Sequence, residues 1–452
     1  MSDKDTDKKV VTRFPPSPTG NFHVGAARTA LFNWLFAKHH NGRIVLRFED
    51  TDRERSKKQY ADNIAAGLDW LGLDYDGPYW QSERRQIYSQ YLEKMLADGS
   101  AYLSDESATE GDRDEVIRFK NPNKTIEFSD EIRGSISVDT TDLGDFVIAK
   151  SIDEPLYHLA VVVDDYEMGI THVIRGDEHI ANTPRQLLLL EAMEAAAPTY
   201  AHIPLILGDD GKKLSKRHGA TDLMKFQGRG VLPAGMINYL ALLGWHPSDE
   251  QEVFTPEQLI ADFTIDRVQK SPATFSDEKL HWVNRQHVLE LSEEAFYDQV
   301  RAFIPADIKK LPQYDLKRLR QALPIFRERV EVFADVTEMA EAGELEFLFE
   351  APDYGSADLR WKEDEPADTA AYLRAVHDNV SQLEDSFSAE TVKEAVWEYA
   401  GEIGRGNVLW PMRFALSGQK QSPGPFMIAS ALGKSEVLAR LETAIDKLSN
   451  EA

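Results

Sequence analysis

The spacing of apolar residues changes period along the chain, and each change marks an element. Val10-Val11-Thr12-Arg13-Phe14 is β-branched and aromatic, the texture of a strand. Pro15-Pro16-Ser17-Pro18-Thr19-Gly20 stops it in a rigid turn. Val24, Ala27, Ala30, Leu31, Trp34 and Leu35 then fall at helical spacing, which predicts a helix capped by Asn21, running to about His39 and ended by Asn41-Gly42. Arg43 to Phe48 reads as a second strand. Strand, turn, helix and strand make a βαβ unit with a right-handed crossover. Ligands of such sheets bind at the carboxyl ends of the strands, beside the helix N-terminus. His23 and Gly25 fall at that end.

The α/β texture returns further on. His158 to Val163 is an apolar run predicted as a buried strand ending at Asp164-Asp165, and Thr171 to Arg175 as a second one. Asn182-Thr183-Pro184 caps a helix with proline in its first turn, carrying Leu187 to Leu190. Ala201 to Leu207 is again strand-like, and Asp209 to Gly219 reads as a mobile, exposed loop. The sheet pattern thus flanks an insertion of roughly 60 residues. After Pro233 helical periodicity dominates, in Ala234 to Leu243, Pro256 to Phe263, Asp315 to Ala322 and a final amphipathic helix from Lys434.

Composition narrows the class. The 452 residues leave room for about three domains, and 42% hydrophobic with 28% charged residues is ordinary for a globular protein. With 51 basic and 77 acidic residues the net charge is −26, the opposite of a generic nucleic-acid binder. The absence of cysteine excludes disulfides, thiolate metal sites and a thiol nucleophile. Met1 to Lys9 lacks the apolar core of a signal peptide, and no apolar run approaches the ~18 residues of a membrane span. A cytoplasmic protein without membrane partners is expected. Glu331 to Asp368, with 13 acidic and 2 basic residues, is expected to be a solvated surface.

Walker A, Gly-x-Ser-x-Gly and His-Glu-x-x-His sequences are missing. Four other constellations could carry chemistry. In Ser17-Pro18-Thr19-Gly20-Asn21-Phe22-His23-Val24-Gly25-Ala26, free N–H groups at a helix start attract phosphate, the glycine lets a flat nucleoside approach, and the histidine can donate to a charged oxygen. Lys213-Leu214-Ser215-Lys216-Arg217 lies in a stretch, Leu205 to Gly230, with six basic and three acidic residues, suited to hold pyrophosphate. Glu49-Asp50-Thr51-Asp52 follows a strand and can hold an ammonium or a ribose hydroxyl. Arg13 and Arg175 sit in predicted strands where they can grip a carboxylate. Taken singly, each has a plain structural alternative: a helix start, a solvated loop, a strand end, a buried ion pair.

In this order and spacing the four resemble class I aminoacyl-tRNA synthetases, whose two signature motifs correspond to His23-Val24-Gly25-Ala26 and Lys213-Leu214-Ser215-Lys216-Arg217. Tyr157-His158-Leu159-Ala160, Ile174-Arg175-Gly176-Asp177-Glu178-His179 and the C-terminal Leu409-Trp410-Pro411-Met412-Arg413 and Leu432-Gly433-Lys434 look like the bacterial glutamyl-tRNA synthetases.

The resemblance implies a Rossmann-type α/β catalytic domain over 1–91 and 156–206, interrupted by an inserted α/β acceptor-stem domain at 92–155. A signature-loop and stem-contact domain at 207–292 and an all-α anticodon-binding region at 293–452 would follow. It implies ATP-dependent ligation of L-glutamate to tRNA-Glu through glutamyl-adenylate, with magnesium accompanying ATP, no zinc, and a monomer. His23, Lys213 and Lys216 would be catalytic. Gly25, Glu178, Ser215 and Arg217 would join them around ATP, and Arg13, Ser17, Glu49, Tyr157 and Arg175 would form the glutamate pocket. The family's second motif histidine is Ala26 here, and the cysteines of zinc-binding members are absent around Ala101-Tyr102-Leu103-Ser104-Asp105. A relaxed form that also charges tRNA-Gln shares these motifs. A non-catalytic RNA-binding paralogue is a further alternative, which intact His23, Lys213 and Lys216 oppose.

Overall fold

The computed structural model describes residues 9–105, 115–214, 222–383 and 387–451. The chain divides into two units, Met1–Asn284 and Arg285–Ala452.

The first unit begins as the apolar pattern predicts. Strand β1 (Val11–Phe14), helix α1 (Val24–His39) and strand β2 (Arg43–Phe48) form the βαβ unit, with β1 and β2 parallel. Helix α2 (Lys58–Leu71) leads to β3 (Asp76–Trp80), which is parallel to β2 on its other side. Helix α1 buries 11 of its 16 residues, which is why its apolar face is too wide for a simple amphipathic stripe. Its cap is His23, whose Nδ1 accepts from the Ala26 N–H at 3.2 Å. Asn21, expected to cap, instead donates to Asp222 at 2.6 Å, 201 positions away.

Helix α3 (Arg85–Asp98) opens the inserted stretch. It contains β4 (Ala101–Asp105), β5 (Glu115–Phe119), β6 (Thr125–Asp130), β7 (Gly134–Asp139), β8 (Phe146–Ser151) and β9 (Glu154–Pro155). Strands β4, β5, β8 and β9 make an antiparallel sheet. The β6–β7 hairpin goes elsewhere, as described next.

Helix α4 (Tyr157–Glu167), strand β10 (His172–Gly176), helix α5 (Thr183–Ala192) and strands β11 (Thr199–Ile203) and β12 (Ile206–Leu207) complete the core. The run His158 to Val163 is therefore helix, not the buried strand expected. Leu159 to Asp165 is buried without a break, so Val161-Val162-Val163 face protein on every side and burial overrides their strand propensity. Pro184 sits in the first turn of α5 as expected, but the Asn182 side chain makes no capping bond.

Strands β10, β11, β6 and β7 hydrogen-bond in that order, so the hairpin of the insertion extends the sheet that β10 and β11 begin. Thr171 N–H donates to the Val11 carbonyl at 2.9 Å, setting β10 beside β1. Beyond that bond the two strands diverge. The Ile174 carbonyl is met by side chains, Arg13 Nη1 at 3.3 Å and Asn33 Nδ2 at 2.9 Å. Chain order runs away from this gap on both sides, β1 to β3 one way and β10 to β11 the other. That is the switch point of a doubly wound sheet, where a ligand crevice opens at the carboxyl ends of the strands.

After β12, helices α6 (Leu223–Gly228), α7 (Pro233–Leu242) and α8 (Pro256–Asp262) follow, and β13 (Ala273–Thr274) pairs with β12. In the second unit the regular elements among the described residues are helices, the longest being Pro366–Ser381, Ala389–Ile403 and Lys434–Ser449. Arg440, 4% exposed, fastens this bundle by donating to the carbonyls of Leu416 at 2.6 Å and Glu350 at 3.1 Å. Of the 13 acids between Glu331 and Asp368, nine are exposed and none is buried, as a solvated face requires.

Candidate active site

A cavity of about 870 Å³ opens at the switch point. Arg13, Ser17, His23, Gly25, Glu49, Tyr157, Arg175, Glu178 and Lys213 all line it. These nine come from the sequence-derived set of twelve; Ser215, Lys216 and Arg217 lie outside the described residues.

The phosphate-type end is built at the start of α1. Because His23 Nδ1 accepts from Ala26, the proton of the neutral ring belongs on Nε2, which makes that atom a donor. A Cβ on Gly25 would stand 3.3 Å from the His23 ring, so the glycine keeps the ring and the helix start open. Lys213 arrives on a tight turn: Gly211, at φ +72°, lets Gly208 N–H reach the Lys212 carbonyl at 2.8 Å. Leu214 N–H then donates to the Ile206 carbonyl at 2.8 Å. The part of the expected mobile loop that is described, Asp209 to Leu214, is thus a hydrogen-bonded turn; the rest lies outside the described residues. Lys213 Nζ lies 3.6 Å from the Glu178 carboxylate.

The opposite end is a buried charge network. Arg13, 1% exposed, gives Nε to Asp165 at 3.3 Å and Nη1 to the Ile174 carbonyl. Three of its five N–H groups are left without a partner among the described residues. Arg47, fully buried, pairs with Asp165 at 2.8 Å, Asp164 at 3.5 Å and Glu49 at 3.3 Å. Asp164 also accepts from Arg84 at 2.7 Å, Tyr88 at 2.7 Å and Gln81 at 3.0 Å. Burial opposes ionisation of Asp165, but Arg13 and Arg47 outweigh it and hold its carboxyl below the usual range. At Glu49 burial, joined by the Asp165 charge, outweighs the pull of Arg47 and Arg13, and its carboxyl is pushed up to about 7.

Arg175, 5% exposed, differs in kind. It donates to His202 Nε2 at 3.1 Å, Gln186 at 2.8 Å, Thr183 at 2.8 Å and the His179 carbonyl at 3.5 Å. All four acceptors are neutral or nearly so, and its Cζ lies 5.4 Å from the Tyr200 ring centre. Burial without a carboxylate partner lowers its pKa. A guanidinium held this way is a positive charge awaiting an anion. Burial likewise holds the His158 and His179 imidazoles down at about 4.

Sequence reasoning missed Asp165, Asp164, Arg47, His202 and Asp130. An arginine inside the apolar strand Arg43–Phe48 and a pair of acids closing an apolar run were visible signals of buried pairing. Nothing marked His202. Among the described residues no group of three or more His, Asp or Glu is placed to hold a metal ion, and no helix is long and apolar enough to cross a membrane.

The family model "tRNA synthetases class I (E and Q), catalytic domain" matches residues 9–111 and 105–282, and "Anticodon binding domain" matches 295–445. A glutamate–tRNA ligase of Syntrophobacter fumaroxidans is 39% identical over 480 aligned positions, covering 98% of this chain and 99% of the relative. One of Legionella pneumophila is 37% identical over 472, covering 97% and 98%. The crystal structure of a glutamate–tRNA ligase from Elizabethkingia meningosepticum, solved in complex with its amino acid, superposes with a TM-score of 0.84 at 32% identity, covering 98% of this chain and all of that one. A second, from Elizabethkingia anophelis, gives 0.81 at 32% identity and 97% coverage of this chain. On full-length similarity in sequence and fold, the chain belongs to the glutamate–tRNA ligases of the class I aminoacyl-tRNA synthetase family.

Proposed function

We propose that this chain joins L-glutamate to tRNA-Glu in two steps within the cavity at the switch point. A carboxylate oxygen of glutamate attacks the α-phosphorus of magnesium-bound ATP, and pyrophosphate leaves. The 2′-hydroxyl of the terminal adenosine then attacks the glutamyl carbonyl, and AMP leaves. No covalent enzyme intermediate is formed, so positioning and charge stabilisation carry the rate. His23 donates from Nε2 to a phosphate oxygen as charge builds up there. Lys213, released from Glu178, and Lys216 hold the departing pyrophosphate, with Ser215 and Arg217 beside them. Gly25 lies under the nucleoside, and Glu178 stands near the ATP.

The observation that carries glutamate, rather than glutamine, is the neutral shell of Arg175 facing a cavity that also holds the three uncommitted N–H groups of Arg13. An anionic substrate compensates these buried charges. Glutamine leaves one unpaired, at a cost of about 3–5 kcal/mol, or 10²–10³-fold or more in discrimination. Glu49, once ionised, takes the substrate ammonium, with Ser17 and Tyr157 completing the pocket. Residues 92–155 serve the acceptor stem, and one chain is the catalytic unit.

The test is charging of radiolabelled glutamate and glutamine on tRNA-Glu and tRNA-Gln transcripts with ATP and magnesium. Glutamate on tRNA-Glu alone is expected. Glutamate on both tRNAs identifies the relaxed form, glutamine charging overturns the pocket assignment, and no charging at all overturns the enzymatic reading.

A further inference from the structure

His202 touches none of the residues the resemblance implies except Arg175, yet it is 0% exposed and held by a carboxylate from the inserted hairpin. Its Nδ1 lies 2.6 Å from Asp130 Oδ2, and Asp130 also accepts the His202 main-chain N–H at 3.1 Å. The other Asp130 oxygen accepts the N–H groups of Ile132 at 3.0 Å and Arg133 at 2.8 Å. The Tyr200 ring lies nearly parallel to the imidazole, at 3° and 6.1 Å between centres. A carboxylate can only accept, so Nδ1 must carry the proton and Nε2 must present its lone pair. That lone pair faces Arg175 Nε–H at 3.1 Å. In the other tautomer, two N–H groups would oppose each other.

We propose that Asp130 and His202 are positioning residues that lock the Arg175 guanidinium into its substrate-binding orientation, so that the insertion builds part of the amino-acid pocket. Asp130 closes β6, whose ladder contact with β11 is the Tyr200–Asp130 pair, supported by Glu131 N–H on the Tyr200 carbonyl at 2.9 Å. The hairpin thereby delivers a carboxylate behind the binding arginine. Nε is fixed by His202, Nη1 by Gln186, and Nη2 by Thr183 and the His179 carbonyl, so four of the five N–H groups are committed to protein. The remaining Nη1–H is the one available to substrate. Loss of the Nε anchor frees the planar group to turn away from it.

The proposal rests on Arg175 being a glutamate ligand, and the experiment separates the two. Asp130→Asn can keep the turn bonds through its carbonyl, but its amide donates to Nδ1 and forces the proton onto Nε2. It is expected to raise the glutamate KM of aminoacylation by about 10- to 100-fold, the effect of one hydrogen bond to a charged group. The ATP KM should stay put and kcat should change far less. His202→Gln, which offers a carbonyl near the Nε2 position and has no tautomer, is expected to recover much of the loss seen in His202→Leu. The double variant with Asp130→Asn should be no worse than His202→Gln alone. An unchanged glutamate KM in Asp130→Asn, additive losses in the double variant, or a parallel rise in the ATP KM overturns the proposal. If Asp130→Asn does not fold, equal glutamate KM values for His202→Gln and His202→Leu overturn it. Arg175→Lys is the separate arm: if it leaves the glutamate KM unchanged, the assignment of Arg175 itself fails.

Discussion

Glu49 should make glutamate affinity rise with pH through neutrality. Its carboxyl is buried against Arg47, and burial lifts its pKa from an ordinary 4.5 to about 7. Only the ionised form attracts an ammonium, so the competent fraction sets the apparent affinity. With a pKa of about 7, roughly one molecule in eleven is ionised at pH 6 and ten in eleven at pH 8, a change of about tenfold. Calorimetric titration of glutamate into the free protein between pH 6 and 8 should follow that curve, with proton release in buffers of differing ionisation enthalpy. Glu49→Gln should bind more weakly and lose the dependence. His158 and His179, at about 4, stay neutral throughout this window and cannot produce the slope. Should affinity fall as pH rises, Glu49 opposes the substrate carboxylates instead of holding the ammonium, and its assignment is wrong.

The same residue bears on stability. A carboxyl raised above its unfolded value stabilises at low pH and loses that contribution as pH climbs through 7, so ionised Glu49 costs up to about 3 kcal/mol above neutrality. Glu49→Gln is therefore expected to raise the melting temperature at pH 8 and barely move it at pH 5. Asp164→Asn should destabilise at every pH, by about 1–3 kcal/mol in urea denaturation, because it takes the carboxylate from half-buried Arg84 and one of three from buried Arg47, which keeps Asp165 and Glu49. Lys216→Ala should cut ATP–pyrophosphate exchange, assayed with glutamate and tRNA-Glu present, strongly while tRNA binding, by filter retention, stays nearly intact; equal loss of both would remove Lys216 from the phosphate site.

The first βαβ unit was legible because propensity, periodicity and turn chemistry agree there, from Val11 to Phe48. The positions of the motif residues were legible too, Arg13 and Arg175 within strands, Glu49 just past one and His23 at a helix start, whereas the roles expected of them come from the resemblance. Helix α4 was not, because its Val161-Val162-Val163 run favours a strand and only its surroundings decide otherwise. The caps show the limit of local rules. Asn21 is a good capping residue, but its partner Asp222 lies on the far side of the sequence. Asp130 and His202 are 72 positions apart, and neither stands in a recognisable pattern, so only the fold could join them.

The placement of the β6–β7 hairpin bears on how far this protein can be treated as a set of exchangeable modules. The stretch from β4 to β9 stands in sequence between the strands of the parallel sheet, which invites its replacement as a cassette. Yet the hairpin is a strand pair of the sheet itself, and Arg133 reaches from its turn to Asp177 at 2.7 Å, directly after the strand that carries Arg175. A chimaera that exchanges the cassette whole would also exchange Asp130, the carboxylate behind His202 and Arg175. Grafts should therefore leave Thr125–Asp139 native and vary the antiparallel sheet of β4, β5, β8 and β9 instead.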